Sequence, residues 1–259
     1  MAKIMESRGE MSEHEQRIER SQPSARFATT QWQMVLDASR SDAPGNLEAL
    51  QQLCGAYWYP LYAYIRRRGH GREDAEDLTQ EFFARLLEKQ WLDGIQKSGS
   101  RFRSFLLSAL NGFLANQYDR TTAAKRGGGQ EILSLDAEQA ERRYLLEPAT
   151  NETPEKIFDR RWALTVLDRA VTRLKDETAV AGKARQFELL NPFLSREPAT
   201  GEYAAVAAEL GVSAGAIGVS VHRLRQRYRE WVRTEIADTV ADPRQVDAEM
   251  QDLFAALRG

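Results

Sequence analysis

The 259-residue chain contains one cysteine and three histidines. A lone thiol, Cys54, excludes an internal disulfide framework and a cysteine-built zinc cluster, and its place in an apolar helical stripe reads as core. His14, His70 and His222 stand in unlike contexts, which argues against a catalytic triad or a histidine metal centre. No apolar run approaches the roughly 20 residues that cross a bilayer, and the opening ten residues lack the apolar segment of a secretory signal. A soluble, cytoplasmic protein with no membrane partner is expected. Gly127-Gly128-Gly129 has neither the lysine nor the strand-to-helix setting of a phosphate loop.

What is present is helical periodicity and segregated charge. With 42% hydrophobic residues the chain can build one large or two small cores, and a net charge of −2 argues against indiscriminate coating of nucleic acid. The charge is unevenly placed: eight acidic against three basic residues over 131–159, but five arginines against one acid over 212–233. Residues 1–25 lack sustained periodicity and are expected to be disordered. Thr29 or Thr30 can cap a short helix with Trp32, Val35 and Leu36 inward. Leu47, Leu50, Leu53, Cys54, Tyr57, Leu61, Tyr64 and Ile65 describe one helix with a kink at Pro60, ended by Arg66-Arg67-Arg68-Gly69.

The next helix, about Glu73 to Lys89, carries Ala75, Leu78, Phe82 and Leu86 for a core and a mostly acidic outer face. Asp74, Asp77 and Glu81 project from one side, suited to a basic partner or to a magnesium-diphosphate site. Over 101–119 a stripe of Phe102, Phe105, Leu106, Ala109, Phe113 and Leu114 faces inward. Asn111, Asn116, Gln117, Tyr118 and Arg120, then Lys125 and Arg126, lie beside it, a mixture of amide, ring and cation that suits unpaired bases and their phosphates. The triple glycine, Pro148, Pro154 and the acidic excess mark 127–153 as a linker. A second helical unit follows, with Ile157, Phe158, Trp162, Leu167, Val171 and Leu174, then a helix around Ala184–Leu190. Val246, Met250, Leu253, Phe254 and Leu257 make a final amphipathic helix that can dock on the second unit or on a partner.

The most specific stretch is 203–233. Val206, Ala207 and Leu210 give a short helix an apolar face, Gly211 suits the left-handed turn that ends it, and Ser213 can cap the next helix. Small Ala207, Gly211 four residues on and Ile217 six beyond match a helix-turn-helix layout. Ile217, Val221, Leu224, Tyr228, Trp231 and Val232 then form a buried stripe, flanked by Arg223, Arg225, Arg227, Arg229 and Arg233, as a DNA-recognition helix requires.

These features together resemble an extracytoplasmic-function (ECF) type sigma factor over about residues 45–126 and 155–235. The family's signature Asp-Ala-Glu-Asp-Leu-Thr-Gln-Glu-x-Phe is matched by Asp74-Ala75-Glu76-Asp77-Leu78-Thr79-Gln80-Glu81-Phe82-Phe83. The resemblance implies that this helix grips core RNA polymerase, with Asp77, Gln80 and Glu81 in that role beside Asp74. It implies that Arg101, Arg103, Asn111 and Arg120 belong to a helix capturing the melted −10 strand of promoter DNA. It further implies that Ser213, Ala214, Gly215, Gly218, His222, Arg223, Arg225 and Arg227 face the −35 duplex, and that an anti-sigma factor is a candidate partner. Where the family often has Lys, Ser and Arg, this chain has Gly218, Val219 and Ser220, so phosphate contacts from the arginines should outweigh base readout.

The expected fold is therefore all-α: a region 2-like domain over 26–126, the flexible acidic linker, a region 4-like helix-turn-helix domain over 154–237, and an acidic extension over 238–259. No catalytic residue, cofactor, metal or small-molecule substrate is expected. Two rivals remain: a helix-turn-helix regulator that works without polymerase, and an all-helical magnesium-dependent diphosphate enzyme using Asp74, Asp77 and Glu81. A second acidic cluster on a long facing helix, which the enzyme would require, is not evident.

Overall fold

The computed structural model describes residues 46–86, 101–121, 137–145 and 152–258, with side chains from Cys54, excluding 118–121 and 137–139. The short helix expected after Thr29 or Thr30 and the residues Lys125 and Arg126 lie outside this set. The described residues are all-helical apart from turns and one isolated antiparallel bridge between Arg101 and Val240. In order, the α-helices are α1 Asn46–Arg67, α2 Arg72–Leu86, α3 Phe102–Thr121, α4 Ala137–Leu145, α5 Pro154–Val180, α6 Ala184–Leu190, α7 Glu202–Leu210, α8 Ala214–Ala237 and α9 Val246–Arg258. Short 3₁₀ turns occupy Asn191–Leu194 and Pro243–Gln245.

Helix α1 is the centre. Every residue from Tyr57 to Ile65 is buried, so this segment has no solvent face and neighbours surround it. The helix continues through Pro60. Around it close α2 and α3 through Phe82, Phe113 and Phe102, and α5 through Phe158, Trp162 and Ala163. Tyr57 meets the edge of Phe102 at 5.1 Å and stacks beside Phe158 at 6.4 Å, while Trp58 lies flat on Tyr62 at 5.4 Å. Aromatic pairs of this kind add about 0.5–1.5 kcal/mol each beyond the area they bury.

Helix α5 starts where sequence rules place a start. Thr153 accepts the Lys156 N–H at its side chain, Pro154 occupies the first turn, and Glu155 favours the positive end of the dipole. Phe158, Trp162, Ala163, Val166 and Ala170 join the core built around α1. From the other end of the chain Val232 and Ile236 of α8, then Val240, Val246 and Leu253, join the same core. A smaller cluster holds Leu190, Phe193, Ala207, Ile217 and Val221.

This arrangement differs from a partition at 127–153. The main core takes residues from both sides of that segment, and α8 contributes to both clusters. Within the segment α4 is seated on α1: Ala140 is buried, Tyr144 meets the edge of Tyr62 at 6.4 Å, and Arg66 lies over Tyr144. Glu141, also buried, accepts from the Tyr62 hydroxyl and pairs with Arg66 at 3.0 Å. Alternating acids and arginines hid α4 from sequence reading, because its anchors are one tyrosine and one buried carboxylate. The C-terminal stripe is also rotated from expectation: Val246, Glu249 and Leu253 are buried, and Phe254 is 49% exposed.

Glu235 of α8 is buried between Arg169 and Arg173 of α5, with Arg169 Nε donating at 2.8 Å. Replacing Glu235 by Ala leaves two guanidinium groups facing each other across that seam. Since the arginines are about one third exposed, the expected cost is about 2–3 kcal/mol, below the full penalty for breaking a buried pair. Urea unfolding of Glu235→Ala and Glu235→Gln checks it, and the Gln variant should be less destabilised because it still accepts a hydrogen bond.

Candidate nucleic-acid interface and acidic groove

The corner between α7 and α8 is made by residues 211–213. Gly211 takes a left-handed φ of 68°, with its N–H bonded to the Ala207 carbonyl, and Val212 N–H reaches the same oxygen at 3.0 Å. Ser213 Oγ then accepts the Ala216 N–H at 3.2 Å and starts α8. The two helices are bent by 97°, within the range of two helices joined by a tight turn in DNA-binding corners. The small core under the corner is fixed by Ile217 and Val221 against Ala207 and Phe193, and Phe193 meets the edge of Tyr203 at 5.3 Å.

The arginines of α8 divide into two groups. Arg225 braces the corner, with Nε donating to the Phe193 carbonyl at 2.8 Å, Nη2 to the Arg196 carbonyl at 2.9 Å and Nη1 to Glu197 at 2.8 Å. Arg227 lies over the Trp231 ring, donates to both oxygens of Glu177 at 2.9 Å, and pairs with Glu230 at 2.7 Å. Arg227 and the Trp231 N–H hold the Glu177 carboxyl below the usual carboxylate range. Arg233 pairs with Asp247 of α9 at 2.6 Å. By contrast Arg223, Arg229 and His222 are exposed and form no bond with another described side chain. Arg225 and Arg227, expected to be phosphate contacts, are thus occupied internally, because α5 and the 3₁₀ turn bring acceptors to them.

Ser213, Ala214, Gly215 and Ala216 are exposed at the start of α8, followed on the same outer surface by Val219, His222, Arg223, Gln226 and Arg229. Gly218 belongs elsewhere. A Cβ there would lie 3.7 Å from the Tyr203 ring, so Gly218 faces α7 at the helix crossing.

A second concave surface lies between α2 and α3. Asp74, Asp77 and Glu81 line one wall, Asn111 and Gln117 the other, with Leu78 and Leu114 between them and Arg68 and His70 also on the lining, enclosing about 720 Å³. Asp74 and Asp77 are exposed. Glu81 accepts from Gln117 Nε2 and from Arg85 of its own helix. Asn111 Oδ1 accepts from Arg68 at 2.7 Å and from the Tyr64 hydroxyl at 2.8 Å. Residues assigned separately to polymerase and to the −10 strand therefore meet in one groove. Gln80, half-buried, does not line it, and Asn116 is exposed beside it. Tyr118 and Arg120 fall on α3 with side chains outside the described set. Among the described residues no three His, Cys, Asp or Glu side chains are grouped to hold a metal ion.

Arg101 and Arg103, at the start of α3, are enclosed instead of presented. Glu249 of α9 is fully buried and takes Arg101 Nη1 at 3.0 Å, Arg103 Nε at 3.0 Å and Arg103 Nη2 at 3.3 Å. Asp252 takes Arg103 Nη2 at 3.1 Å and pairs with Arg101; Asp159 of α5 also pairs with Arg103. Burial alone would lower the Arg103 pKa, but Glu249 and Asp159 hold it above the usual guanidinium range. Sequence reading missed Glu249 and Asp252 as partners. The available signal was an acid, Glu249, on the inward side of an amphipathic helix.

An L side chain at position 211 would meet no atom within 4 Å, so the cost of filling it is conformational alone. Gly211→Ala is expected to lower stability by about 1 kcal/mol and Gly211→Asn by less, because Asn tolerates the left-handed region better. Chemical denaturation of both variants checks this, and equal losses would contradict it. No family model, curated protein or solved structure significantly matches this chain.

Proposed function

We propose that this protein is a sigma-type transcription initiation factor, which binds core RNA polymerase through the α2–α3 groove and reads promoter DNA with α8. The observation that carries the reading is the groove itself. The ten-residue run from Asp74 to Phe83 turns its carboxylates, Asp74, Asp77 and Glu81, onto an open concave wall, while its Phe82 and Phe83 lock the helix into the core. An acidic wall with an apolar floor at Leu78 and Leu114 suits a basic, partly apolar helix of a large partner. Across the groove Asn111 and Gln117, and beside it Asn116, carry amides suited to unpaired bases, with Tyr118 and Arg120 following on α3.

In the same reading the α7–α8 corner is a helix-turn-helix. Small residues at 213–216 allow close approach of backbone to a major groove, His222 and Gln226 reach base edges, and Arg223 and Arg229 neutralise phosphates. No bond is made or broken: recognition and strand separation draw on binding energy, so no cofactor or catalytic group is assigned. The work belongs in the cytoplasm, where polymerase and DNA meet.

A second reading has one observation in its favour. The main core gathers residues from Cys54 to Leu253, and α8 joins it to the small cluster under the corner, which suits a helix-turn-helix regulator acting alone. Run-off transcription separates the two: the sigma reading requires initiation that depends on both this chain and added core enzyme.

Asp77→Arg should weaken core polymerase binding by about tenfold or more, since like charges across an interface cost several kcal/mol, while the exposed position leaves thermal unfolding unchanged. Unchanged pull-down of core enzyme would count against the groove. On duplex DNA, Arg223→Gln should lower the dependence of log K on log salt by about 0.9 without altering thermal unfolding. Arg225→Gln should instead lower the unfolding midpoint, because it releases the Phe193 and Arg196 carbonyls.

A further inference from the structure

The start of α3 carries two arginines, and the three carboxylates gathered on them come from elsewhere in the chain. Two of those carboxylates, Glu249 and Asp252, belong to α9. They meet a guanidinium fork with charged oxygens at 3.0–3.3 Å, a geometry that arginine also uses toward phosphate. Behind the fork lies an aromatic plane, since the Arg103 guanidinium sits 4.4 Å from the centroid of the Trp162 ring.

The attachment of α9 is part apolar, through Val246 and Leu253 in the main core with Met250, Ala256 and Leu257 packed against it, and part ionic, through Glu249 and Asp252 on the arginines. Among its side chains only Val246, Glu249 and Leu253 are buried, and Phe254 remains 49% exposed. A further ionic tie to the body is the exposed pair Arg233–Asp247. A cleft of about 310 Å³ runs along the seam between α9 and α5, lined by Arg103, Glu152, Lys156 and Asp159 on one side and by Asp252, Ala255 and Ala256 on the other. The cleft opens Arg103 and Lys156 to solvent beside Glu152, Asp159 and Asp252, and the ionic part of the attachment loosens when its cations find other partners.

From this we infer that α9 is an internal acidic cover for a nucleic-acid-binding surface. In the free protein it occupies Arg101 and Arg103, and single-stranded DNA engaging α3 displaces it. The inference rests on the reading that α3 receives unpaired DNA. Docking of α9 and strand binding then oppose each other, and the opposition is reciprocal: whatever holds α9 down weakens strand binding, and bound strand frees α9.

The test measures binding of a fluorescein-labelled oligothymidylate to the full chain by anisotropy across a salt series. Relative to the wild type, Glu249→Gln/Asp252→Asn should bind about tenfold tighter, with a slope of log K against log salt steeper by about 1.4, the value for two added phosphate contacts on a single strand. Adding Arg101→Gln and Arg103→Gln to that variant should abolish the gain. Equal affinity of wild type and double variant, or a gain that survives loss of the arginines, overturns the cover. Should the double variant fail to fold, hydrogen exchange on the wild type decides: amides of 246–258 must lose protection on saturation with the oligonucleotide, and unchanged protection overturns the proposal. Run-off transcription keeps the two readings apart. Polymerase-dependent initiation with an unresponsive α9 leaves the sigma reading without the cover, whereas strand-coupled release of α9 without initiation leaves the cover without the sigma reading.

Discussion

Three glutamates, Glu141, Glu235 and Glu249, are buried, the first closed by Arg66 and the Tyr62 hydroxyl and the other two each by a pair of arginines distant in sequence. A carboxylate without solvent loses hydration worth several kcal/mol, which only an oriented cation or donor offsets. Each glutamate therefore penalises any arrangement in which its partner helix is absent. Glu141 holds α4 on α1, Glu235 holds α8 against α5, and Glu249 holds α9 on the start of α3. Apolar contacts give these helices their affinity for the body, and the paired charges select the position in which they settle.

That selection places the two candidate interfaces. Helix α8 has Ile217 and Val221 in the small cluster and Val232 and Ile236 in the main one, so the exposed corner at 211–216 is carried on the same helix that anchors the body. The acidic groove is set by α2, whose Ala75, Phe82, Phe83 and Leu86 are buried while Asp74 and Asp77 stay in solvent. Under the proposed reading, a basic partner at the groove and duplex DNA at the corner would meet surfaces the body already positions, which lowers the ordering cost of binding.

The fate of each arginine decides which surface carries charge. Residues that look equivalent along α8 are not: Arg225 serves carbonyls of the 3₁₀ turn, Arg227 serves Glu177, and Arg223 and Arg229 face solvent. The same division occurs on α3, where Arg101 and Arg103 are enclosed while Asn116 is open. A formal count of basic residues thus overstates the cations available to nucleic acid, because a guanidinium held by two carboxylates releases few counterions when a phosphate arrives.

The helices themselves were largely legible in the residues. The 3.6-residue recurrence of Phe82, Leu86, Phe102, Leu106 and Phe113, the Thr153-Pro154 start, the Gly211 stop and the Ser213 cap are local rules, satisfied by neighbours within one turn. Helix α4 escaped because a tyrosine and a carboxylate anchor it, and neither registers in an apolar periodicity. The sequence by itself determined an all-helical chain with an acidic-faced α2 and a capped corner before an arginine-rich helix. Only the tertiary structure decided that the core joins both halves, that Arg101, Arg103, Arg225 and Arg227 are spoken for, and that α9 covers the start of α3. Helix formation is set by contacts three and four residues apart, whereas a charge is claimed by whichever opposite charge the fold brings within about 3 Å, here up to 151 positions away along the chain.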